Sequence, residues 1–175
     1  DKADEGSWSF DGRTISGMPP HRIASSGMVR TFQLTKSLTK LTVIENMKLG
    51  ATGQKGEALW RSVLPFMWRK QEAEIEARAD ILLERFKLDH MRDEFAGTLS
   101  GGQRKLLEMA RALRSEPDLI MLDEPMAGVN PVLTESLLTH IKALRDQEGK
   151  TVIFIEHDMD VVMEISDWVV CLAQG

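Results

Sequence analysis

The sequence predicts an α/β fold in which helices cover a mainly parallel sheet. Two apolar runs, at residues 119–122 and 151–155, are typical of strands that are buried on both faces. A helical pattern follows each run, at residues 131–147 and 158–165. Strands that alternate with helices at this spacing form parallel sheets through crossover helices, so we expect the two strands to be neighbours.

The composition is that of a globular protein with a sizeable core. Of the 175 residues, 42% are hydrophobic and 28% are charged. The net charge of −5 argues against a nucleic-acid partner, because nucleic-acid binders usually carry a basic excess. Cys171 is the only cysteine, which excludes an internal disulfide and favours a reducing cytosol. The N-terminus does not read as a signal peptide, and no apolar run approaches the ~20 residues of a membrane-spanning helix.

Short elements are predicted before residue 50. Residues 7–15 alternate in the manner of an edge strand that turns at an Asp-Gly pair. Pro19 and Pro20 open a short helix that runs through Ser25 and that Gly27 would end. Residues 28–33 then read as a short strand that runs into a loop.

The middle of the chain is predicted to be mostly helical. Thr42 and Glu45 have the spacing of a capping box at the start of a short helix. After a glycine-containing loop at residues 50–56, residues 57–88 have a helical pattern, which Pro65 divides into two helices. The apolar side chains expected to lie together in this region are Ile75, Leu82 and Phe86, beside Ile81 and Leu83.

Two further features are expected in the last third. The helix at residues 131–147 would be entered through Asn130 and Pro131 and left at Gly149. Residues 168–172 are apolar and predict a final strand.

A glycine turn precedes the helix that is predicted after residue 99. Gly101 and Gly102 let the backbone come close to an anion, with the Ser100 hydroxyl beside them. The amide of Gln103 stands on the other side of the pair. Unpaired N–H groups and the positive end of the helix dipole favour phosphate at such a turn. A simple helix entry capped by Ser100 is the structural alternative.

Two carboxylates follow the first apolar strand. Asp123 and Glu124 lie at its carboxyl end, which is the edge where open α/β sheets bind ligands. Buried adjacent carboxylates are costly unless something uses them. We therefore expect Asp123 to hold Mg²⁺, through water, and Glu124 to polarise an attacking water. A surface Asp-Glu turn is the alternative.

His157 follows the second strand in the same way, so its imidazole is expected within reach of a γ-phosphate. A metal cluster of His157, Asp158, Asp160 and Glu164 is a competing interpretation, but it fits no usual metal-ligand spacing. Gln33 precedes Leu99 by 66 residues, with a helical segment between them. Its amide could contact Mg²⁺ or the attacking water and report that contact to a neighbouring domain.

In this order and spacing, these motifs resemble those of ATP-binding cassette (ABC) ATPases. Gln33 matches the Q-loop, residues 99–103 the signature motif, and Asp123 the Walker B aspartate. Glu124 matches the catalytic base and His157 the switch histidine. The resemblance implies binding and hydrolysis of ATP with Mg²⁺, which Asp123 and Gln33 would contact.

The resemblance also implies a fold and its subdivision. The fold would be a P-loop NTPase-type (RecA-like) parallel sheet core with an inserted α-helical subdomain. Residues 1–49 would belong to the β and core region with the Q-loop, and residues 50–98 to the helical subdomain. Residues 99–175 would hold the signature helix and the ATPase core with Walker B, the D-loop and the H-loop.

The residues around the motifs are similar to those of the ATPases of branched-chain amino-acid importers. Importers of urea and other amides share many of these residues. The partners implied are a second ABC ATPase subunit, identical or a sister, and transmembrane permease subunits. A solute-binding protein would act indirectly. Ser100 to Gln103 would complete the nucleotide site of the second subunit. The implied location is peripheral, on the cytoplasmic face of the inner or plasma membrane.

The sequence departs from the family pattern in two places. The D-loop has Asn130 where most of these ATPases have an aspartate, and Ala127 where they have a serine, as in the importer subfamily. No phosphate-binding loop precedes Gln33, and Gly149-Lys150-Thr151 is no substitute, because Thr151 opens a strand rather than a helix. We therefore expect an internal piece of a subunit of roughly 250 residues. On its own it would bind ATP weakly or not at all.

Two other functions remain open from the sequence. A non-transport ABC ATPase of the ribosome-associated type is compatible with the length, although the wording near His157 argues against it. DNA-repair relatives carry long coiled coils between the Q-loop and the signature, and 66 residues leave no room for them. A non-catalytic ABC scaffold is the second alternative, and the presence of both Glu124 and His157 speaks against it.

Overall fold

A computed structural model describes residues 5–31, 39–50 and 65–172 of the chain. Near its start, β1 (Ser9–Phe10) and β2 (Arg13–Thr14) pair as an antiparallel hairpin. Asp11 and Gly12 form the turn with φ values of 47° and 70°, the left-handed conformation that two-residue hairpin turns need. The predicted hairpin is therefore confirmed.

A three-stranded parallel sheet forms the centre of the α/β region. Its strands are β3 (Met28–Arg30), β4 (Leu119–Asp123) and β5 (Thr151–Ile155), in the order β3-β4-β5. Both pairings are parallel, and Asp123 lies opposite Ile155. The predicted parallel sheet and the predicted neighbourhood of the last two strands are confirmed.

Six helices surround or extend this sheet within the described residues. They are α1 (Pro20–Ser25), α2 (Val43–Leu49), α3 (Pro65–Arg85), α4 (Gly101–Leu113), α5 (Pro131–Asp146) and α6 (Met159–Ile165). Two 3₁₀ turns, Asp89–Met91 and Ala96–Thr98, connect α3 to α4. None of these helices is both long and apolar enough to cross a membrane.

Sequence signals explain where these helices begin. The Thr42 hydroxyl accepts a hydrogen bond from the backbone N–H of Glu45, and the Glu45 carboxylate accepts from the backbone N–H of Thr42. This is the predicted capping box. Asn130 caps α5, with Pro131 in its first turn. Gly149, at φ 62°, separates α5 from β5, which confirms that Gly149-Lys150-Thr151 leads into a strand.

One apolar cluster joins the sheet to the helices. The buried side chains of α5 belong to the same cluster as Ile120 and Leu122 of β4, and this cluster continues into α4, α2 and α3. Among the α3 side chains that the structure describes, Ala79 and Leu83 are buried whereas Ile81 is exposed, so the predicted grouping was wrong for Ile81. Positions 79 and 83 are one helical turn apart, and position 81 lies half a turn away from both. The division at residues 49/50 and 98/99 stays a prediction.

The structure corrects two expectations at the carboxyl end of the chain. β5 is not buried on both faces, because Thr151, Ile153 and Ile155 are exposed on one side. Val152 and Phe154 point the other way, toward the apolar cluster. Residues 168–172 form no strand. Their apolar side chains are mostly exposed, and the backbone lacks the strand partner that a ladder requires within the described residues.

Candidate functional site

The carboxyl ends of β4 and β5 bring two sequence motifs to one edge of the sheet. Asp123 and Ile155 are opposite each other in the parallel ladder. The backbone N–H of Glu124 donates to the carbonyl oxygen of Ile155 at 3.0 Å. Glu124 and His157 therefore start from adjacent strand ends, as the motif spacing predicted.

Asp123 forms an ion pair with Arg30, which ends β3. A guanidinium nitrogen of Arg30 donates to Oδ2 of Asp123 at 2.8 Å. The Asp123 side chain is 27% exposed, and Glu124 is also only partly buried. The premise that both carboxylates are buried was therefore wrong, because the strand end opens toward solvent and a cation lies beside it.

Glu124 has a left-handed backbone, with φ at 45°. A residue with a side chain adopts this conformation only where the surroundings hold it there. Its carbonyl oxygen accepts from Nζ of Lys105 at 2.7 Å and from the N–H of Ala127 at 3.2 Å. The chain therefore turns sharply at the residue that was predicted to be the base, and α4 supplies a cation to that turn.

Glu156 fixes the same turn from the β5 side. Its side chain is 2% exposed, and its Oε1 accepts from the backbone N–H of Met126 at 2.8 Å. Burial lowers the pKa of the Lys105 ammonium, while the negative charges of Glu156, Glu108 and Glu124 oppose that shift. A buried carboxylate and a half-buried lysine thus support the segment that follows β4.

Sequence reasoning missed Arg30, Lys105 and Glu156. Arg30 and Glu156 stand beside motifs that were recognised, at strand ends where side chains reach the shared edge. That position is the signal that could have found them. Lys105 lies on a helix far from Glu124 in the chain, and no local pattern indicates their contact.

His157 is exposed at this edge, with 76% of its side chain accessible. Its Nδ1 lies 4.0 Å from Oε2 of Glu156. The alternative metal cluster is not formed. Asp158 caps α6, Glu164 pairs with Lys142, and the described residues hold no group of three potential metal ligands.

The start of α4 is a complete capping box. Ser100 Oγ accepts from the N–H of Gln103 at 3.2 Å, and Gln103 Oε1 accepts from the N–H of Ser100 at 2.9 Å. The helix has no acidic residue in its first turn. The cap predicted for Ser100 is confirmed, and the first turn of the helix itself carries no carboxylate that would oppose an anion there.

The two glycines of the turn have different environments. A Cβ on Gly102 would lie 2.3 Å from Cδ1 of Leu133, so this glycine permits close packing of α4 against α5. A Cβ on Gly101 would meet nothing within 4 Å. Packing within the described residues therefore explains Gly102 but not Gly101.

The remaining predicted site residues are accounted for in different ways. Asn130 is exposed, and its Oδ1 accepts from the N–H of Leu133 at 2.9 Å as the cap of α5. Its D-loop role stays a prediction. Gln33 lies outside the described residues.

A single carboxylate at a strand end suits Mg²⁺. In nucleotide sites this ion is usually held by one or two carboxylates, water and phosphate oxygens rather than by a cage of protein ligands. Asp123 is such a carboxylate, and its position beside Arg30 is compatible with a site that also binds phosphates.

Comparison with known proteins identifies the family. The family model described as ABC transporter matches residues 1–127. A probable branched-chain amino acid transport ATP-binding protein, LivG, of Archaeoglobus fulgidus is 44% identical over 99% of this chain. The chain covers 66% of that relative's length.

Solved structures give the same result. A nucleotide-free ATP-binding cassette from an ABC transporter aligns with a TM-score of 0.78 and 39% identity, covering 95% of this chain and 65% of that one. A dimeric bacterial ABC transporter cassette aligns at 0.72 and 25% identity, covering 93% and 67%. These matches confirm the predicted α/β P-loop NTPase-type fold. The chain belongs to the ABC transporter family.

Proposed function

We propose that this chain is part of the ATP-binding subunit of an ABC importer, which hydrolyses ATP to drive uptake of branched-chain amino acids or similar solutes. The observation that carries the proposal is the shared edge of β4 and β5. Asp123, Glu124 and His157 all leave the sheet there. The solute class rests on the name of the relative LivG, of whose length the chain covers about two thirds.

The residues at the shared edge of β4 and β5 would have different roles at the nucleotide. Asp123 would hold Mg²⁺ through water, and Gln33 would contact the ion or the attacking water. When bound, Mg²⁺ neutralises phosphate charge. Glu124 would orient and polarise water against the γ-phosphate, and the exposed imidazole of His157 would contact that phosphate.

The start of α4 would serve a second nucleotide site, on another subunit. Ser100 and Gln103 use their side chains to cap the helix, which presents the N-terminal turn in a fixed geometry. A Cβ on Gly101 would meet nothing within 4 Å, so packing within the described residues does not require glycine there. A phosphate that approaches the backbone closely would account for the glycine.

The partners follow from this arrangement. A second ABC ATPase subunit would face this one head to tail, with Asn130 at the joint, and the related dimeric cassette supports such pairing. Transmembrane permease subunits would hold the pair at the cytoplasmic face of the membrane, with a solute-binding protein acting indirectly. ATP affinity would depend on a phosphate-binding loop, a motif that the 175 residues do not contain.

Single-turnover ATP hydrolysis by the complete subunit, with and without Glu124→Gln, tests the proposal. We expect the substitution to slow hydrolysis by at least about 100-fold, because loss of a general base typically costs 10²–10⁴. Glu135→Gln, an exposed change on α5, is the matched control and should hydrolyse at the wild-type rate. Equal rates for Glu124→Gln and wild type would remove the catalytic assignment and favour a non-catalytic scaffold.

A further inference from the structure

We propose that Lys105 is a positioning residue that holds Glu124 in its working conformation and so couples the signature helix to the catalytic edge of the same subunit. This inference rests on the proposed function of Glu124. It assigns a role to a side chain that lies on α4 and does not belong to the capping box.

The contact is direct. Nζ of Lys105 donates to the carbonyl oxygen of Glu124 at 2.7 Å, and both groups are partly buried. A hydrogen bond from an ammonium is about twice as strong as a neutral one. It ends on a residue whose φ of 45° is strained, so it bears on the backbone conformation that aims the Glu124 side chain.

Glu156 makes the contact part of a network. Its buried carboxylate accepts from the N–H of Met126, two residues beyond Glu124, and its negative charge acts on the Lys105 ammonium. At the start of the same turn, the N–H of Glu124 donates to the carbonyl oxygen of Ile155. The turn after β4 is thus held by α4 through Lys105 and by β5 through Ile155 and Glu156.

This geometry connects two nucleotide sites. In the proposed dimer, the start of α4 contacts the nucleotide of the partner subunit, whereas Glu124 acts on the nucleotide of its own subunit. Lys105 lies on α4 and contacts Glu124. A shift of α4 on nucleotide engagement would therefore be transmitted to Glu124 through Lys105.

Steady-state kinetics of Lys105→Met in the complete subunit tests the assignment. Because misplacement of a catalytic group by about 1 Å costs up to 10²-fold, we expect kcat to fall about ten- to hundredfold with the KM for ATP nearly unchanged. Lys105→Arg should recover most of the rate, since a guanidinium can also donate to the carbonyl. Lys142→Met is the matched control. It removes a lysine of α5 that pairs with Glu164 of α6, and its kcat should equal that of wild type.

Hydrogen exchange gives a second readout that does not depend on activity. The amides of Met126 and Ala127 are bonded within the supported turn. In Lys105→Met they should exchange about tenfold faster, with the rest of the chain unchanged. A uniform rise across the chain would show a merely structural lysine and overturn the proposal.

Two comparisons separate this inference from the proposed function. If Glu124→Gln is inactive while Lys105→Met keeps both wild-type kcat and wild-type exchange, the role of Lys105 is refuted alone. If Glu124→Gln is fully active, the proposed function fails, and the exchange of Met126 and Ala127 still decides whether Lys105 holds the turn. Should Lys105→Met not fold, Lys105→Gln carries the same test, because it removes the ammonium that donates to Glu124 and keeps a polar side chain at this half-buried position.

Discussion

Gly102 and Leu133 are in such close contact that a single added carbon on the glycine would lie 2.3 Å from the leucine's Cδ1. This contact governs how closely α4 (Gly101–Leu113) approaches the start of α5 (Pro131–Asp146). The missing side chain of Gly102 therefore leaves the space that the Leu133 side chain occupies.

Gly102→Ala should destabilise the chain, whereas Gly101→Ala should not. A Cβ at Gly102 would force the Leu133 side chain to shift where it packs against the apolar cluster. Such overpacking costs about 1–3 kcal/mol, which is more than a helix-propensity gain of up to about 1 kcal/mol. Gly101 has open space around the missing Cβ, so only the gain remains there. Urea unfolding of both variants measures the difference. Adding Leu133→Ala should relieve Gly102→Ala, and equal midpoints for the two single variants would contradict the packing account.

Arg92→Met should loosen the attachment of α3. Arg92 pairs with Glu76, Asp80 and Asp93, and Glu76 also pairs with Lys48 of α2 at 2.9 Å. The side chain of Arg92 is about one third exposed. Such a network is stronger than a single surface pair, and we expect a loss of about 1–2 kcal/mol that shrinks in high salt.

Arg78→Met is the control for that experiment. Arg78 pairs with Glu116 where both side chains are mostly exposed, so its loss should cost under about 0.5 kcal/mol. The free energy of unfolding from denaturant titration at low and high salt measures both variants. Similar losses for Arg78→Met and Arg92→Met would show that the network adds nothing to an isolated pair.

His140 should make the folded chain sensitive to mild acid. Burial lowers the pKa of His140 below its usual 6.5, and the positive charges of Arg85 and Lys87 lower it further. The folded state therefore binds this proton less readily than the unfolded state. Stability is complete above the unfolded pKa and is lost as the pH falls below it, until the folded group also titrates.

Replacement of His140 by glutamine tests this sign. The wild-type free energy of unfolding should fall more steeply than that of His140→Gln as the pH is lowered from about 7.5 toward 5. The ring also lies 4.3 Å from Phe86, so the variant has its own constant cost. Parallel pH profiles for the two proteins would show that His140 does not titrate differently on folding.

The sequence predicted the site edge because parallel strands end on the same side. The apolar runs before Asp123 and His157 identified two neighbouring strands, and their carboxyl ends had to meet. The helix caps were predictable because they are local: Ser100 and Thr42 each bond a residue three positions further along the chain.

Contacts between distant segments could not be read in this way. Lys105 reaches Glu124 only because the tertiary fold brings α4 to the turn that follows β4. The exposure of one face of β5 and of residues 168–172 could not be predicted for a related reason. An apolar run shows which residues favour burial, but it does not show which faces of a strand are covered.

Complementation between two inactive variants tests the central claim most directly. One complete subunit carries Glu124→Gln and the other Ser100→Arg, and each alone should be inactive in ATP hydrolysis. In a mixed dimer, the intact Glu124 of one subunit faces the intact signature of the other, which restores one site of two. Because half of randomly mixed dimers are mixed, we predict roughly a quarter of the wild-type rate. A mixture as inactive as its components would contradict a nucleotide site shared between two subunits.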